Sequence, residues 1–173
     1  MTAQQDNAAL VRDVHQAWNK RDFDRIIALT SPEVEWVMMP TGQKFRGLDG
    51  MRQYAQGWAT AFPDGRVEDS NLIAGDNGGA VEFIGRGTHN GPLMSPSGEI
   101  PPTGRRLEMS FCEIYRIKNG KIVGGAIYFD MATMLQQLGL MPVQPGPSGL
   151  DLELTHPSSL HEIAARAAAR QAR

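Results

Sequence analysis

Hydrophobic and polar positions follow two different periods along this chain. Near the start, Val11, Val14, His15 and Trp18 recur at the i, i+3, i+4, i+7 spacing that lines one face of an amphipathic helix. The polar run Asn19-Lys20-Arg21-Asp22 interrupts the stripe, and Asp22 is placed to cap a second short helix carrying Phe23, Ile26, Ile27 and Leu29. "SPEVEWVMMP" reads as a turn and then a short strand, Val34 to Met39. Asp49 is the expected cap of a third helix, in which Met51, Tyr54, Trp58 and Phe62 repeat at helical spacing until Pro63 stops it.

Beyond Pro63 the period becomes two. "RVEDSNLIAGD", "GAVEFIGRGTH", "RRLEMSFCEIYRIK" and "KIVGGAIYFD" are expected strands. Gly75-Asp76-Asn77-Gly78, the Gly/Pro-rich loop from Asn90 to Gly104, and Asn119-Gly120 separate them. Asn-Gly is the strongest hairpin signal of the three, because both residues tolerate positive φ. Helices first, then a run of antiparallel strands, then a helix from "MATMLQQL" predict an α+β fold with helices on one face of a curved sheet.

The pattern changes again near the end. Residues 1–141 read as one domain, and residues 142–173 as a Pro/Gly-rich arm followed by an alanine-rich helix, in which Ser159 and Glu162 have capping-box spacing.

Composition narrows the function classes. Of 173 residues, 41% are hydrophobic and 21% charged, which is ordinary for a globular chain. A net charge of −2 offers no basic excess to grip a phosphate backbone, so nucleic acid is not an expected partner. No apolar run nears the ~18 residues that read as a bilayer span, and no signal-peptide core stands at the N-terminus. No membrane partner is therefore expected. The single cysteine, Cys112, fits a reducing compartment, so a cytoplasmic location is expected. No metal-ligand spacing and no phosphate-cradling loop is present, so neither metal nor cofactor is expected.

A two-residue turn at Asn119-Gly120 pairs Lys118 with Lys121, and counting outward sets the faces. Met109, Phe111, Glu113, Tyr115, Gly124, Ala126, Tyr128 and Asp130 then share one face. Cys112, Ile114, Val123, Ile127 and Phe129 take the other, and a bulge would swap the faces beyond it. Glu113 and Asp130 thus become two carboxylates on an otherwise apolar face, where poor solvation raises a carboxyl pKa toward that of a useful base. A sheet apolar on both faces predicts helices on one side and a second subunit on the other.

The segments "GTHNGPL", "PPTGRR", "IYRIKNGKI" and "YFDMATMLQQLGL", in this order, resemble the SnoaL-like family of polyketide cyclases. That family sits in the nuclear transport factor 2-like superfamily, with ketosteroid isomerase and limonene epoxide hydrolase. The likeness spans about residues 8–141 and is most specific over 86–140. It implies a cone-shaped α+β fold with a deep apolar pocket, a homodimer or higher homo-oligomer, and a cofactor-free aldol cyclisation or isomerisation of a small carbonyl-bearing molecule such as a polyketide. Hydration or epoxide opening in the same pocket, and a non-catalytic binding domain, are the rival readings. The family's catalytic aspartate falls on Asp130. Its Glu-His-Trp run is replaced here by Gly124-Gly125-Ala126, so any role carried by that histidine or tryptophan has no counterpart.

Asp130 has two opposed readings. As the N-cap of the following helix it accepts N–H bonds and its pKa falls; as a base on an apolar face its pKa rises. The resemblance favours the base. His89, where a strand meets the Gly/Pro loop, is the candidate partner for a substrate carbonyl. Trp36, Tyr54, Trp58, Met109, Phe111, Glu113 and Tyr128 are the expected pocket residues. His15 reads as a satisfied core histidine on a helix that borders the pocket in this fold. His156 and His161 read as surface residues of the tail.

Overall fold

The computed structural model describes residues 2–95 and 98–142. The arm, the alanine-rich helix and its capping box, His156 and His161 lie outside the described residues.

The apolar stripe of the first segment forms α1 (Ala3–Lys20), which begins with a capping box between Thr2 and Gln5 and buries Leu10, Val11, Val14, His15 and Ala17. It ends at Arg21, held in the left-handed region at φ 61°. The Arg21 guanidinium stacks on Trp18, 4.1 Å from the ring centre, and donates to the carbonyls of Phe62, Pro63 and Gly65. That bracket ties the end of α1 to the end of the third helix. Asp22 caps α2 (Phe23–Ala28) by accepting from the Arg25 N–H at 2.9 Å.

The chain continues through β1 (Thr30–Met38) and β2 (Gln43–Arg46), a short antiparallel edge strand that the sequence pattern did not announce. Next comes α3 (Gly47–Ala61), which starts two residues before Asp49. Its N-cap is Arg46, with no side-chain cap bond, so Asp49 sits in the first turn and acts through the helix dipole rather than as the cap.

The expected strands follow as β3 (Arg66–Gly75) and β4 (Gly78–Thr88). The loop after them contains a small hairpin, β5 (Leu93–Ser95) with β6 (Gly98–Ile100). Then come β7 (Arg106–Lys118), β8 (Lys121–Phe129) and α4 (Met131–Gln137). The six-stranded sheet runs β2-β1-β8-β7-β4-β3. The fold is α+β as expected, but the sheet is mixed, because β1 pairs with β8 in parallel. The Leu29 carbonyl accepts from the Ile122 N–H at 2.9 Å, so β1 and β8 leave the same end of the sheet and must run the same way.

The decisive correction concerns β8. The turn at Asn119-Gly120 does pair Lys118 with Lys121. A bulge follows at once: Ile117 faces Ile122, but Arg116 faces Gly124, so one extra residue, Val123, enters β8. Every later side chain of β8 changes face. Tyr115 pairs with Gly125, Glu113 with Ile127 and Phe111 with Phe129. Gly124, Ala126 and Tyr128 lie on the outer face, and Tyr128 is 41% exposed.

The core fills the space between α1, α3 and the inner sheet face. Trp36 of β1 lies over Gly125, so closely that a Cβ there would strike its indole ring and the Ile114 carbonyl. The glycine does not leave room for a ligand; Trp36 occupies that room.

Candidate active site

β7 alternates strictly, so Leu107, Met109, Phe111, Glu113, Tyr115 and Ile117 all turn inward and are buried. β4 turns in Val81, Phe83, Gly85 and Gly87 beside them. α1 lays His15 over these strands, and α3 brings Tyr54 and Trp58. The result is one open-mouthed cavity of about 90 Å³. Its walls are aromatic and aliphatic: Trp18, Trp36, Tyr54, Trp58, Phe62, Phe83 and Phe111, with Val14, Met51, Leu107 and Ile127.

A polar cluster interrupts this lining. Glu113 Oε1 accepts from the Tyr54 hydroxyl at 2.8 Å. Glu113 Oε2 accepts from the Tyr115 hydroxyl at 2.5 Å and from His15 Nε2 at 2.9 Å. The other ring nitrogen, His15 Nδ1, bonds Asp69 Oδ1. Asp69 reaches inward through a second bulge. Its partner Phe83 and the next inward residue, Val81, are two apart on β4, whereas Asp69 and Leu72 are three apart on β3, with Ser70 the residue that slips the register. The β3 backbone is open to solvent here, yet the Asp69 side chain keeps only 28% of its surface exposed.

The electrostatics follow from these contacts. Burial pulls the His15 pKa down, but the hydrogen bonds and charges of Asp69 and Glu113 outweigh it and push it up to about 9. The imidazole is therefore protonated at neutral pH and bridges two carboxylates. Burial, and then the adjacent Glu113 carboxylate, hold the Tyr54 and Tyr115 hydroxyls well above the usual phenol range. Both phenols stay protonated and act as donors. Oε2 of Glu113 accepts two bonds and Oε1 only one, which leaves Oε1 with acceptor capacity.

Of the residues expected in the pocket, Trp36, Tyr54, Trp58, Phe111 and Glu113 line the cavity. Met109 is buried on the inner face of β7 but does not reach the lining. Tyr128 is placed on the opposite face by the bulge. Asp130 is an exposed N-cap: its carboxylate accepts from the Ala132 N–H at 2.9 Å and from the Thr133 hydroxyl at 2.6 Å. The Thr133 bond, with backbone N–H groups adding to it, holds the Asp130 carboxyl below its ordinary range, the opposite of a desolvated base. His89 is fully buried, but outside the cavity lining. Its Nδ1 accepts from the Thr103 N–H at 3.3 Å, its ring lies 5.4 Å from that of Phe62, and burial lowers its pKa. Backbone bonds from His89 N–H to the Arg105 carbonyl and from Gly104 N–H to the His89 carbonyl close the neck of the 90–104 loop, which makes His89 a pin for that loop.

Three members of the cluster were outside the expected site set. His15 was visible on the buried stripe, and Tyr115 shared the expected face with Glu113. Asp69 carried no signal, because a plain alternation through Leu72 and Ala74 turns it outward. Among the described residues, no group of three or more His, Cys, Asp and Glu could hold a metal ion, and no helix is long and apolar enough to cross a membrane.

Comparison with known proteins adds the family. A solved structure of AclR, a candidate hydroxylase from Streptomyces galilaeus, is 25% identical, covers 98% of this chain and 93% of its own, and superposes with a TM-score of 0.69. IdmH, a candidate polyketide cyclase from Streptomyces antibioticus, is 26% identical over 77% of this chain and 98% of its own, with a TM-score of 0.64. A candidate SnoaL-like polyketide cyclase from Jannaschia sp. CCS1 shares the fold at 15% identity, with a TM-score of 0.73 over 82% of this chain and 97% of its own. No curated protein sequence matches. The family model for SnoaL-like polyketide cyclase matches residues 8–138, which is nearly all of the described domain, and the chain belongs to that family.

Proposed function

We propose that this protein is a general acid–base enzyme that works without a cofactor on an apolar, carbonyl-bearing metabolite of polyketide or terpenoid type, cyclising or isomerising it through an enolate. One observation carries the reading: a buried carboxylate, Glu113, lines an otherwise apolar cavity, is held by three donors, and keeps acceptor capacity on Oε1. Glu113 Oε1 takes the proton α to the carbonyl, and the C–H electron pair becomes the enolate. In cyclisation the enolate carbon bonds to a second carbonyl carbon of the same molecule. The new alkoxide recovers the proton from Glu113, so the enzyme returns to its starting state. His15, oriented by Asp69, keeps its proton and fixes Glu113, as do Tyr54 and Tyr115. The aromatic walls suit a flat ring system.

The test is deuterium exchange. With 2-tetralone in D2O, the protein is expected to accelerate loss of the α-proton NMR signals over buffer. A panel of ring ketones that exchange no faster than in buffer would remove proton abstraction from consideration. The second reading is water addition, in which Glu113 Oε1, with its spare acceptor capacity, orients a water instead of taking a carbon-bound proton. Labelled solvent oxygen retained in a non-exchangeable product position would favour it.

The same proposal includes a homodimer in the cytoplasm. The outer sheet face exposes Ile73, Ile114 and Tyr128 at 60%, 42% and 41%, a contiguous kind of surface that a second copy would cover. Sedimentation velocity of the full chain decides: a monomer at micromolar concentration would end this part of the proposal.

A further inference from the structure

The cavity is narrow for the amount of apolar wall around it. Its volume, about 90 Å³, is below the roughly 150 Å³ of a dry cavity that holds one benzene, and well short of the roughly 300–1,000 Å³ of pockets that enclose drug-sized ligands. The walls explain the size. Gly85 and Gly87 of β4 and Gly125 of β8 are inward positions of the sheet without a side chain, and each could have deepened the cavity. None does. An added Cβ at Gly125 would strike the Trp36 ring, one at Gly85 would stand 2.6 Å from the Phe111 ring, and one at Gly87 would stand 3.1 Å from Phe62 Cβ and from Gly65 Cα. Neighbouring groups, aromatic side chains above all, have taken the space that the glycines leave.

Two of these rings fill their places differently. Trp36 packs on both tyrosines that hold Glu113, with ring centres 5.6 Å from Tyr54 and 5.1 Å from Tyr115, so it belongs to the frame of the polar cluster. Phe111 stands between two cavity walls. It stacks on Phe83 at 5.3 Å and 7°, and it meets Trp58 edge-on at 6.0 Å and 87°. That is the offset and edge-to-face packing an aromatic ligand ring would adopt in the same slot. With only Gly85 beneath it, nothing else fills the slot when the Phe111 ring is gone.

We infer that the cavity encloses one six-membered ring with its carbonyl and no second ring, and that Phe111 sets this limit. The ligand is then a monocyclic ketone. This narrows the proposed function and rests on the same cavity. A single ring with its α-carbon toward Glu113 Oε1 fills the space available. A fused second ring stands in the open mouth, where it stays wet and gains little from burial. 2-Tetralone enters in this way, ketone ring first. Phe111 is thus a specificity-determining residue: its own ring occupies the place that a second ligand ring would need.

The experiment separates this from the acid–base reading because it needs no turnover. Acetophenone and 2-acetylnaphthalene carry the same methyl ketone and differ by one fused ring. Each is titrated into the ¹⁵N-labelled full chain, unaltered and as Phe111→Ala, and the dissociation constants are read from the amide shifts. In a site that buries it, the second ring tightens binding by about ten-fold or more. The unaltered protein is expected to bind the two ketones within about three-fold of each other, and Phe111→Ala to prefer 2-acetylnaphthalene by about ten-fold. A preference for 2-acetylnaphthalene above about three-fold in the unaltered protein, no binding of either ketone, or an unchanged ratio in Phe111→Ala overturns the inference. Should Phe111→Ala fail to fold, the ratio in the unaltered protein still decides. The expected ratios with no deuterium exchange would leave the one-ring limit standing and remove only the acid–base function. Exchange with a failed ratio would do the reverse.

Discussion

Glu113 and Asp130 stand on neighbouring strands of one hairpin, and simple counting puts them on one face. Their surroundings could hardly differ more. Glu113 is 6% exposed and takes bonds from His15, Tyr54 and Tyr115. Asp130 is exposed and takes bonds from the first turn of α4. The whole difference traces to one extra residue, Val123, just after the turn. Without it Asp130 would sit on the inward-facing parity of β8; with it, Ile127 and Phe129 turn inward and the carboxylate is left to cap a helix. In this hairpin the position of a carboxylate along a strand decides less than the parity of the strand that carries it.

The comparison breaks most sharply in activity. Glu113→Gln keeps the side chain's size but removes the base, and turnover or α-proton exchange should fall by roughly 10²- to 10⁴-fold, the usual contribution of a positioned acid–base group. Asp130→Asn should stay within about two-fold of the unaltered protein, since asparagine also caps helices well. Rates measured side by side, with folding confirmed by circular dichroism, settle the point. A large loss in Asp130→Asn with an active Glu113→Gln would restore the aspartate as the base and reverse the assignment made here.

The two adjacent glycines of β8 test the bulge itself. Gly125 faces inward, where an added Cβ would strike the Ile114 carbonyl and the Trp36 ring, both held fixed by the sheet and core. Gly125→Ala should cost about 3 kcal/mol, the upper part of the range for overpacking a core. Gly124 faces outward beneath the Arg116 guanidinium, the movable end of a long side chain, with the Glu35 carbonyl at 3.0 Å. Gly124→Ala should cost less than half as much. Urea midpoints of the pair read the difference, and an equal cost for both would mean that the parity of β8 is wrong.

The sequence carried one side of this hairpin and not the other, for a physical reason. In β7 five of the seven outward positions are polar or charged, Arg106, Glu108, Ser110, Arg116 and Lys118, with Cys112 and Ile114 the exceptions, so one parity buries most of the apolar set. In β8, Ile122 to Phe129 is apolar or glycine throughout, and either parity buries something acceptable. Two glycines add no side chain to break the tie. The same ambiguity hides Asp69, since the β3 bulge at Ser70 lets both Asp69 and Leu72 face inward. Apart from β2, the β5–β6 hairpin and the parallel pairing of β1 with β8, elements and order were therefore legible from periodicity and turn chemistry. The site depended on two single-residue slips that leave no mark on composition, although Glu113 and four of its aromatic neighbours stood in the expected pocket.

A pH titration sharpens the contrast from the side of Glu113. The His15 pKa rises from 6.5 to about 9 on folding, so its contribution to stability is fully present below 6.5 and is lost as the pH climbs through about 9. A shift of that size corresponds to at most about 3 kcal/mol. Chemical denaturation at pH 6 and pH 10 should therefore show lower stability at the higher pH. His15→Gln should be less stable at pH 6 and should lose that particular slope. A His15→Gln variant that keeps the full decline between pH 6.5 and 9 would mean that another group is responsible.

Asp130 gives the smallest effect and the cleanest reading. Its carboxyl is held low by the Thr133 hydroxyl and the N–H groups of the first turn, so its contribution is present above about pH 4, the unfolded value, and fades as the pH falls through the lower folded value. Solvent exposure limits its size. Asp130→Ala should cost about 1 kcal/mol at pH 7, the ordinary worth of a helix cap, and the difference should shrink toward pH 2. The loss should fall on α4, whose Gln137 clamps the Glu108 backbone with bonds of 2.8 and 2.9 Å. Met134 and Leu138 are both 1% exposed, so partial release of this short helix uncovers apolar surface without touching the Glu113 cluster. Faster amide exchange confined to α4 and the start of β7, with unchanged catalysis, is the expected result. Slowed catalysis together with an unperturbed α4 would mean that the carboxylate does more than hold a helix end.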